Sequence, residues 1–122
     1  MGIEKTIEVR NEREFSCLKL GSVVKFHIDK CEEPEKRVYQ EIDGNGHACF
    51  IKQKFFLRTP IIEVQADLPK KLRFLPDGSI AINNYSGRLD IYESDSDETR
   101  EDYNKAMLML KAAGMWEDSA LN

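Results

Sequence analysis

Apolar and polar residues alternate along several short stretches of this sequence. In residues 22–29, Val24, Phe26 and Ile28 occupy every second position, with polar side chains between them. Side chains two positions apart lie on the same face of a strand, so this spacing predicts a strand with one buried and one solvated face. Stretches of this kind, rich in Val, Ile, Phe and Tyr, predict strands at residues 5–10, 22–29, 36–42, 47–57, 61–66, 72–75, 79–83 and 88–92.

Turn-forming residues separate the predicted strands. Residues 43–46 have the sequence Asp-Gly-Asn-Gly, residues 76–78 Pro-Asp-Gly and residues 84–87 Asn-Tyr-Ser-Gly. Gly and Asn tolerate the positive φ angles that tight hairpins require. The turns therefore predict successive hairpins and antiparallel pairing. We expect a mainly β (α+β) fold, a small antiparallel barrel or sandwich of about seven or eight short strands with one C-terminal helix.

The pattern changes after residue 92. Tyr103, Ala106 and Leu110 recur at helical spacing. The acidic residues before them favour a helix N-terminus, and Gly114 is suited to end the helix. The sequence thus predicts a helix over 97–113 and a flexible tail over 117–122. With a β core at 5–92, we expect a single domain over 1–122, because 122 residues are few for two well-buried cores.

Composition and charge exclude some classes of protein. The chain has 18 Lys and Arg residues against 22 Asp and Glu, a net charge of −4, which argues against a strongly basic nucleic-acid-binding protein. Three cysteines without a Cys-x-x-Cys pair favour a reducing, cytoplasmic location over a disulfide framework. No apolar stretch approaches the ~18 residues of a membrane span, so no membrane partner is expected.

One face of the predicted strand at 47–57 combines aromatic residues with cations. This face and the basic segment that could extend it comprise Phe50, Lys52, Lys54, Phe56, Arg58, Lys70, Lys71 and Arg73. Bases stack on rings while cations neutralise phosphates, so the face suits single-stranded nucleic acid. Residues 52–73 carry a net charge of +4 and residues 93–122 a net charge of −5. The helix could therefore cover this face instead, and we favour the covered face.

The sequence offers no well-spaced metal or catalytic site. The available His and Cys residues are Cys17, His27, Cys31, His47 and Cys49. Their spacing lacks the tight ligand pairs of structural zinc sites. No Gly-rich phosphate loop follows a predicted strand and opens a helix, and no nucleophile, base and orienting residue stand out together. We predict no metal, no cofactor and no catalytic residue; a zinc-stabilised module or small enzyme is the third hypothesis.

The predicted helix also carries apolar residues outside its buried stripe. Leu108 and Met109 lie off that stripe, and Met115 and Trp116 follow the helix end. Flexible Met side chains adapt to partners, and exposed apolar residues mark interfaces. These four are the predicted partner-binding residues. We therefore favour a small, soluble, non-enzymatic binding or adaptor module, in a regulatory role, that recognises a protein partner or a second copy of itself. Single-stranded nucleic-acid binding is the alternative.

Overall fold

Eight strands and a long C-terminal helix make up the part of the chain that the computed structural model describes, residues 5–28, 33–41, 46–83, 87–93 and 97–118. The elements are β1 (Thr6–Ile7), α1 (Glu12–Ser16), β2 (Val23–Ile28), β3 (Glu35–Glu41), β4 (Ala48–Phe56), β5 (Thr59–Asp67), a 3-10 turn (Pro69–Lys71), β6 (Arg73–Phe74), β7 (Ile80–Ile82), β8 (Gly87–Ile91) and α2 (Asp97–Ala112). The predicted mainly β fold with a C-terminal helix is confirmed.

The strands form one curled sheet with the shape of a half-barrel. The strand order is β6-β7-β2-β3-β4-β5-β8, and β1 also pairs with β2. Strands β2 to β5 form an antiparallel meander, β6 and β7 form a hairpin, and β8 is antiparallel to β5. Both β1 and β7 run parallel to β2. The sheet is therefore mixed, and not antiparallel throughout as the turns predicted.

The turn predicted at 84–87 does not join a hairpin. Strand β7 pairs with β2, whereas β8 pairs with β5 at the far end of the sheet. All three residues of β7 are buried, as suits an internal strand, while β8 exposes its first three residues. Residues 84–86, and residues 43–45 of the turn predicted before β4, lie outside the described residues. The first predicted strand, at 5–10, is shorter than expected and spans only Thr6–Ile7.

Both faces of the sheet are buried, which gives two cores. On one side, called here the helix face, α2 crosses β8, β5, β4 and β3. The core of the helix face comprises Val23, Val38, Cys49, Ile51, Ile62, Val64 and Ile91 from the sheet and Tyr103, Ala106, Leu110 and Ala113 from the helical segment. The core of the opposite face comprises Val9, Val24, Phe26, Ala48, Phe50, Leu72, Ile80 and Ile82. Each core buries apolar side chains from several distant segments.

Helix α1 lies outside the predicted elements. Its N-cap is Asn11, whose side-chain oxygen accepts a hydrogen bond from the Glu14 backbone N–H at 2.9 Å. Such a cap satisfies one of the amides left unpaired at a helix start. Phe15 in this helix packs its ring edge-on against Tyr39, with centroids 5.3 Å apart. The short helix thus anchors the N-terminal segment to the opposite face.

Helix α2 ends as predicted. Gly114 follows it with φ of +73°, and the Met115 N–H donates to the Leu110 carbonyl at 2.8 Å. The chain then turns back to the sheet, where the backbone of Glu117 forms two hydrogen bonds with the Gln53 side chain, at 2.6 and 2.7 Å. The tail predicted as flexible at 117–122 therefore begins with a tethered residue. Residues 119–122 lie outside the described residues.

Candidate functional site

The four apolar residues predicted to bind a partner do not form an exposed patch. Met109, Met115 and Trp116 are partly buried against the core of the helix face. The Trp116 ring meets Tyr103 edge-on at a centroid distance of 6.0 Å. Of the four, only Leu108 is well exposed, at 61%. A single exposed Leu is ordinary on a protein surface, and the chain reversal after α2 explains why Met115 and Trp116 pack against the core.

The aromatic residues of the predicted nucleic-acid face are separated by burial. Phe50 is fully buried in the core of the opposite face, whereas Phe56 is exposed at the end of β4. Helix α2 packs on the other side of β4, against Cys49 and Ile51. The expectation that α2 covers the Phe50 face is therefore wrong. Both faces of β4 are apolar near its start, and α2 occupies the face opposite to the one we favoured.

The cations of that face are engaged or scattered. Lys52 pairs with Glu35 at 3.0 Å, and Lys54 pairs with Glu63 at 3.0 Å and with Asp90 at 3.1 Å. The remaining cations of the prediction lie in three separate elements: Arg58 in the β4–β5 turn, Lys70 and Lys71 in the 3-10 turn and Arg73 in β6. The structure does not gather them with exposed rings into one nucleic-acid surface.

A buried ionic network, absent from the sequence-based expectations, centres on Arg37. Its side chain has no exposed surface. The guanidinium pairs with Glu63 at 2.5 Å and with Glu35 at 2.6 Å, and Nη1 donates to the Phe50 carbonyl at 3.3 Å. Its carbon centre also lies 5.0 Å from the centroid of the Phe26 ring. Such pairing is what allows an arginine to be buried at all.

Glu63 is the anion at the centre of this network. Burial alone raises the pKa of its carboxyl, but hydrogen bonds from Arg37 and Lys54 and the charges of Arg37 and Lys52 outweigh that effect. Together they lower the pKa of Glu63 from 4.5 to about 2. Glu63 is therefore ionised at neutral pH. Because its oxygens are held by cations of the same chain, we interpret the network as a structural feature and not as a ligand site.

The His and Cys side chains that could bind a metal do not form a cluster within the described ranges. Cys17 is exposed and Cys49 is buried, while His27 Nε2 lies 3.7 Å from Asp77 Oδ2. Cys31 lies outside the described residues. Within the described ranges, no three His, Cys, Asp or Glu side chains come together as a metal would require.

Helix α2 leaves part of the helix face uncovered, and a cleft of about 310 Å³ lies there. The cleft is lined by Gln40, Cys49, Val64, Ala66, Gly87, Arg88, Leu89, Ile91, Asp102 and Lys105. Its floor is mainly apolar and comes from β4, β5 and β8, while polar side chains come from Gln40 of β3 and from Asp102 and Lys105 of α2. An apolar cleft with a few convergent polar groups is the usual form of a binding site.

Strand β8 forms one side of this cleft and one edge of the sheet. Among the described strands, only β5 pairs with it. In an antiparallel pair, alternate residues direct their N–H and C=O groups away from the partner strand, so the outer side of β8 offers backbone groups for another strand. Leu89, in the middle of β8, is 59% exposed.

The sequence pattern did not single out this site. The alternation of Arg88, Leu89, Asp90 and Ile91 predicts a strand with one apolar face, and that signal was available. Whether such a strand lies inside a sheet or at its edge depends on the strand order, which local alternation does not determine. The cleft depends in turn on how far α2 extends over the sheet.

Comparisons with protein-family models, with curated proteins and with solved structures gave no match. None of the described helices has the length and apolar character needed to span a bilayer.

Proposed function

We propose that this protein is a non-enzymatic protein-binding module, in which β8 and the adjoining cleft take up an extended segment of a partner protein. The observation that carries the proposal is the open outer side of β8 next to a cleft with an apolar floor. An extended segment can add to such an edge as a further strand. Main-chain hydrogen bonds then supply affinity, and the cleft selects among the side chains that alternate along the segment.

The lining of the cleft indicates the chemistry of that segment. A volume of about 310 Å³ over Val64, Ala66 and Leu89 suits one large apolar side chain. Lys105 and Asp102 of α2 also line the cleft, whereas the guanidinium of Arg88 pairs with Glu63 on the opposite face, at 3.2 Å. One cation and one anion balance each other, so the apolar side chain is the feature of the partner segment that the cleft selects.

Protein binding has more support than the alternative, single-stranded nucleic acid. Phe50 is buried and Lys52 and Lys54 are ion-paired, so the stacking and phosphate contacts that nucleic-acid binding requires lack their main residues. Leu89 beside an apolar cleft is instead suited to an apolar partner side chain.

A library of displayed random peptides tests this proposal. We expect the selected peptides to share a large apolar residue at one position. When a selected peptide is synthesised and added to the full-length, isotope-labelled protein, amide shifts should change along β8 and at Asp102 and Lys105. Shift changes confined to other parts of the protein would contradict the proposal.

A matched pair of variants sharpens the test. Gly87 lines the cleft, and a Cβ added there meets only the Ala66 carbonyl, at 3.6 Å. Gly87→Phe should therefore fold and partly fill the cleft, weakening peptide binding by at least about tenfold. Leu108→Phe, at an exposed position on α2, is the control and should leave affinity unchanged. Equal affinities for the two variants would count against the cleft.

A further inference from the structure

The outer side of β8 is complementary to itself, and we propose that the strand it takes up is β8 of a second copy of this chain. The inference rests on the proposed function, because it uses the same edge. In β8, Arg88 and Asp90 flank Leu89 symmetrically and lie on the opposite face of the sheet, while Leu89 lies on the helix face. Two such strands, antiparallel and related by a twofold axis, can pair along their outer sides.

The charges select one register for this pairing. With Leu89 opposite Leu89 of the second copy, each Arg88 lies opposite an Asp90, and Gly87 lies opposite Ile91. Shifting the centre to Arg88 or to Asp90 places like charges opposite each other, which destabilises a strand pair. Moving the centre by one residue slides the two strands past each other by two residues. A slide by a single residue would instead place side chains from different faces opposite each other. Among these registers, the one centred on Leu89 matches both charge and face, and it places each Arg88 opposite an Asp90.

The acidic surroundings of Asp90 also favour a cation from the second copy beside it. On β5, the residue opposite Asp90 is Glu63, another acid. Lys54 contacts both carboxylates, at 3.0 Å from Glu63 and 3.1 Å from Asp90. Glu63 is also paired with Arg37 and with Arg88 of its own chain, whereas Lys54 is the one cation that contacts Asp90 among the described residues. The outer side of Asp90 faces no described strand. Arg88 of a second copy would lie there and would separate the acidic pair from solvent on its open side.

The same register places apolar surface against apolar surface. Leu89 is 59% exposed and lines the cleft. At the twofold axis, the two Leu89 side chains contact each other on the helix face, and the two clefts lie next to each other across the new strand pair. The contact is short, so we expect a weak dimer with a dissociation constant of about 10 μM to 1 mM.

Sedimentation equilibrium of the full chain over a range of concentrations tests the inference. The wild type should dimerise reversibly. Leu89→Lys and Leu89→Glu should each weaken association by at least about tenfold, because two like charges face each other at the axis. An equimolar mixture of the two variants should associate at least about tenfold more tightly than either alone, since each lysine then faces a glutamate.

Leu108→Lys is the matched control, since Leu108 is as exposed as Leu89 but lies on α2. It should dimerise like the wild type. A wild type that stays monomeric at about 1 mM overturns the inference, as does a dimer that Leu89→Lys leaves intact or a mixture that fails to associate. If the wild type is monomeric and a selected peptide still binds along β8, the self-pairing fails while the proposed function stands. If it dimerises through β8 but no peptide is selected, the edge is specific for its own copy.

Discussion

Replacing Glu63 by glutamine should remove a large part of the stability of this fold. The substitution keeps the size of the side chain and removes only its charge. Glu63 is buried, and it is the carboxylate to which Arg37, Lys54 and Arg88 all pair, at 2.5, 3.0 and 3.2 Å. Without that charge, the fully buried Arg37 retains only Glu35 as an ionic partner among the described residues.

The pKa of Glu63 gives the size of the stability loss expected for Glu63→Gln. Folding lowers it from 4.5 to about 2, and each pKa unit corresponds to about 1.4 kcal/mol. The ionised carboxyl therefore stabilises the folded state by about 3 kcal/mol relative to the neutral form. Glutamine is a fair substitute for the neutral form, so Glu63→Gln should lower the free energy of unfolding at pH 7 by about 3 kcal/mol.

The pH dependence of this stabilisation follows from the direction of the pKa shift. Because folding lowers the pKa of Glu63, its contribution is complete above the unfolded value of 4.5 and disappears as the pH falls towards 2. The difference between the wild type and Glu63→Gln should thus be constant near neutral pH, shrink below about pH 5 and nearly vanish at about pH 2. Other carboxyl groups titrate in both proteins and largely cancel in the difference.

Urea unfolding, followed by circular dichroism from pH 7 to pH 2, measures this difference. Glu101→Gln is the control. Glu101 contacts Lys105 at 3.8 Å and its side chain is 71% exposed, so its loss should change the free energy of unfolding by less than about 0.5 kcal/mol. A Glu63→Gln protein within about 1 kcal/mol of the wild type at pH 7, or a deficit unchanged at low pH, would refute the reasoning.

Two further predictions concern backbone conformation. The β4–β5 turn places Leu57 and Arg58 at φ of +49° and +70°, and a two-residue turn of this kind strongly prefers Asn-Gly. The double substitution Leu57→Asn/Arg58→Gly should therefore raise the free energy of unfolding by about 1–2 kcal/mol, as measured by urea titration. An unchanged urea midpoint would contradict this. Gly46 and Gly78 both have positive φ, but a Cβ at Gly78 would lie 2.6 Å from the Glu8 Cβ, whereas one at Gly46 meets nothing within 4 Å. Gly78→Ala should therefore lower the melting temperature clearly more than Gly46→Ala, and equal losses would show that crowding by Glu8 is unimportant.

Local patterns in the sequence were sufficient to predict most of the strands and helix α2, but not which strands pair with each other. The alternation in β2 and the spacing of Tyr103, Ala106 and Leu110 each reflect a buried face of one element, so they could be recognised without knowing what covers that face. The pairing of β7 with β2 could not be recognised in this way, because Ile80–Ile82 are apolar on both faces and could pair with any of several strands. Helix α1 has only five residues, too few for a helical periodicity to appear.

The candidate site depends on which elements pack against each other, and local sequence patterns do not determine this. The pattern in β4 could not show which face α2 covers, because Cys49, Phe50 and Ile51 are all buried. The burial of Arg37 could not be predicted, because its partner Glu63 lies on another strand, 26 positions away in the sequence. Leu89 became a candidate only when the strand order placed β8 at an edge and α2 left the neighbouring surface uncovered.

The parallel pairing of β7 with β2 has a consequence for how the chain folds. Phe26 pairs with Ile80, so β3, β4, β5 and β6 all lie between the two strands, and closing so long a loop is entropically costly and slow. The meander from β2 to β5, built from neighbouring strands, should form earlier. Until β7 pairs, the Phe26–Ile28 part of β2 presents an unpaired edge to other molecules in solution. Refolding of this protein should accordingly give better yields in dilute solution, because intermolecular strand pairing at that edge competes with β7 in proportion to protein concentration.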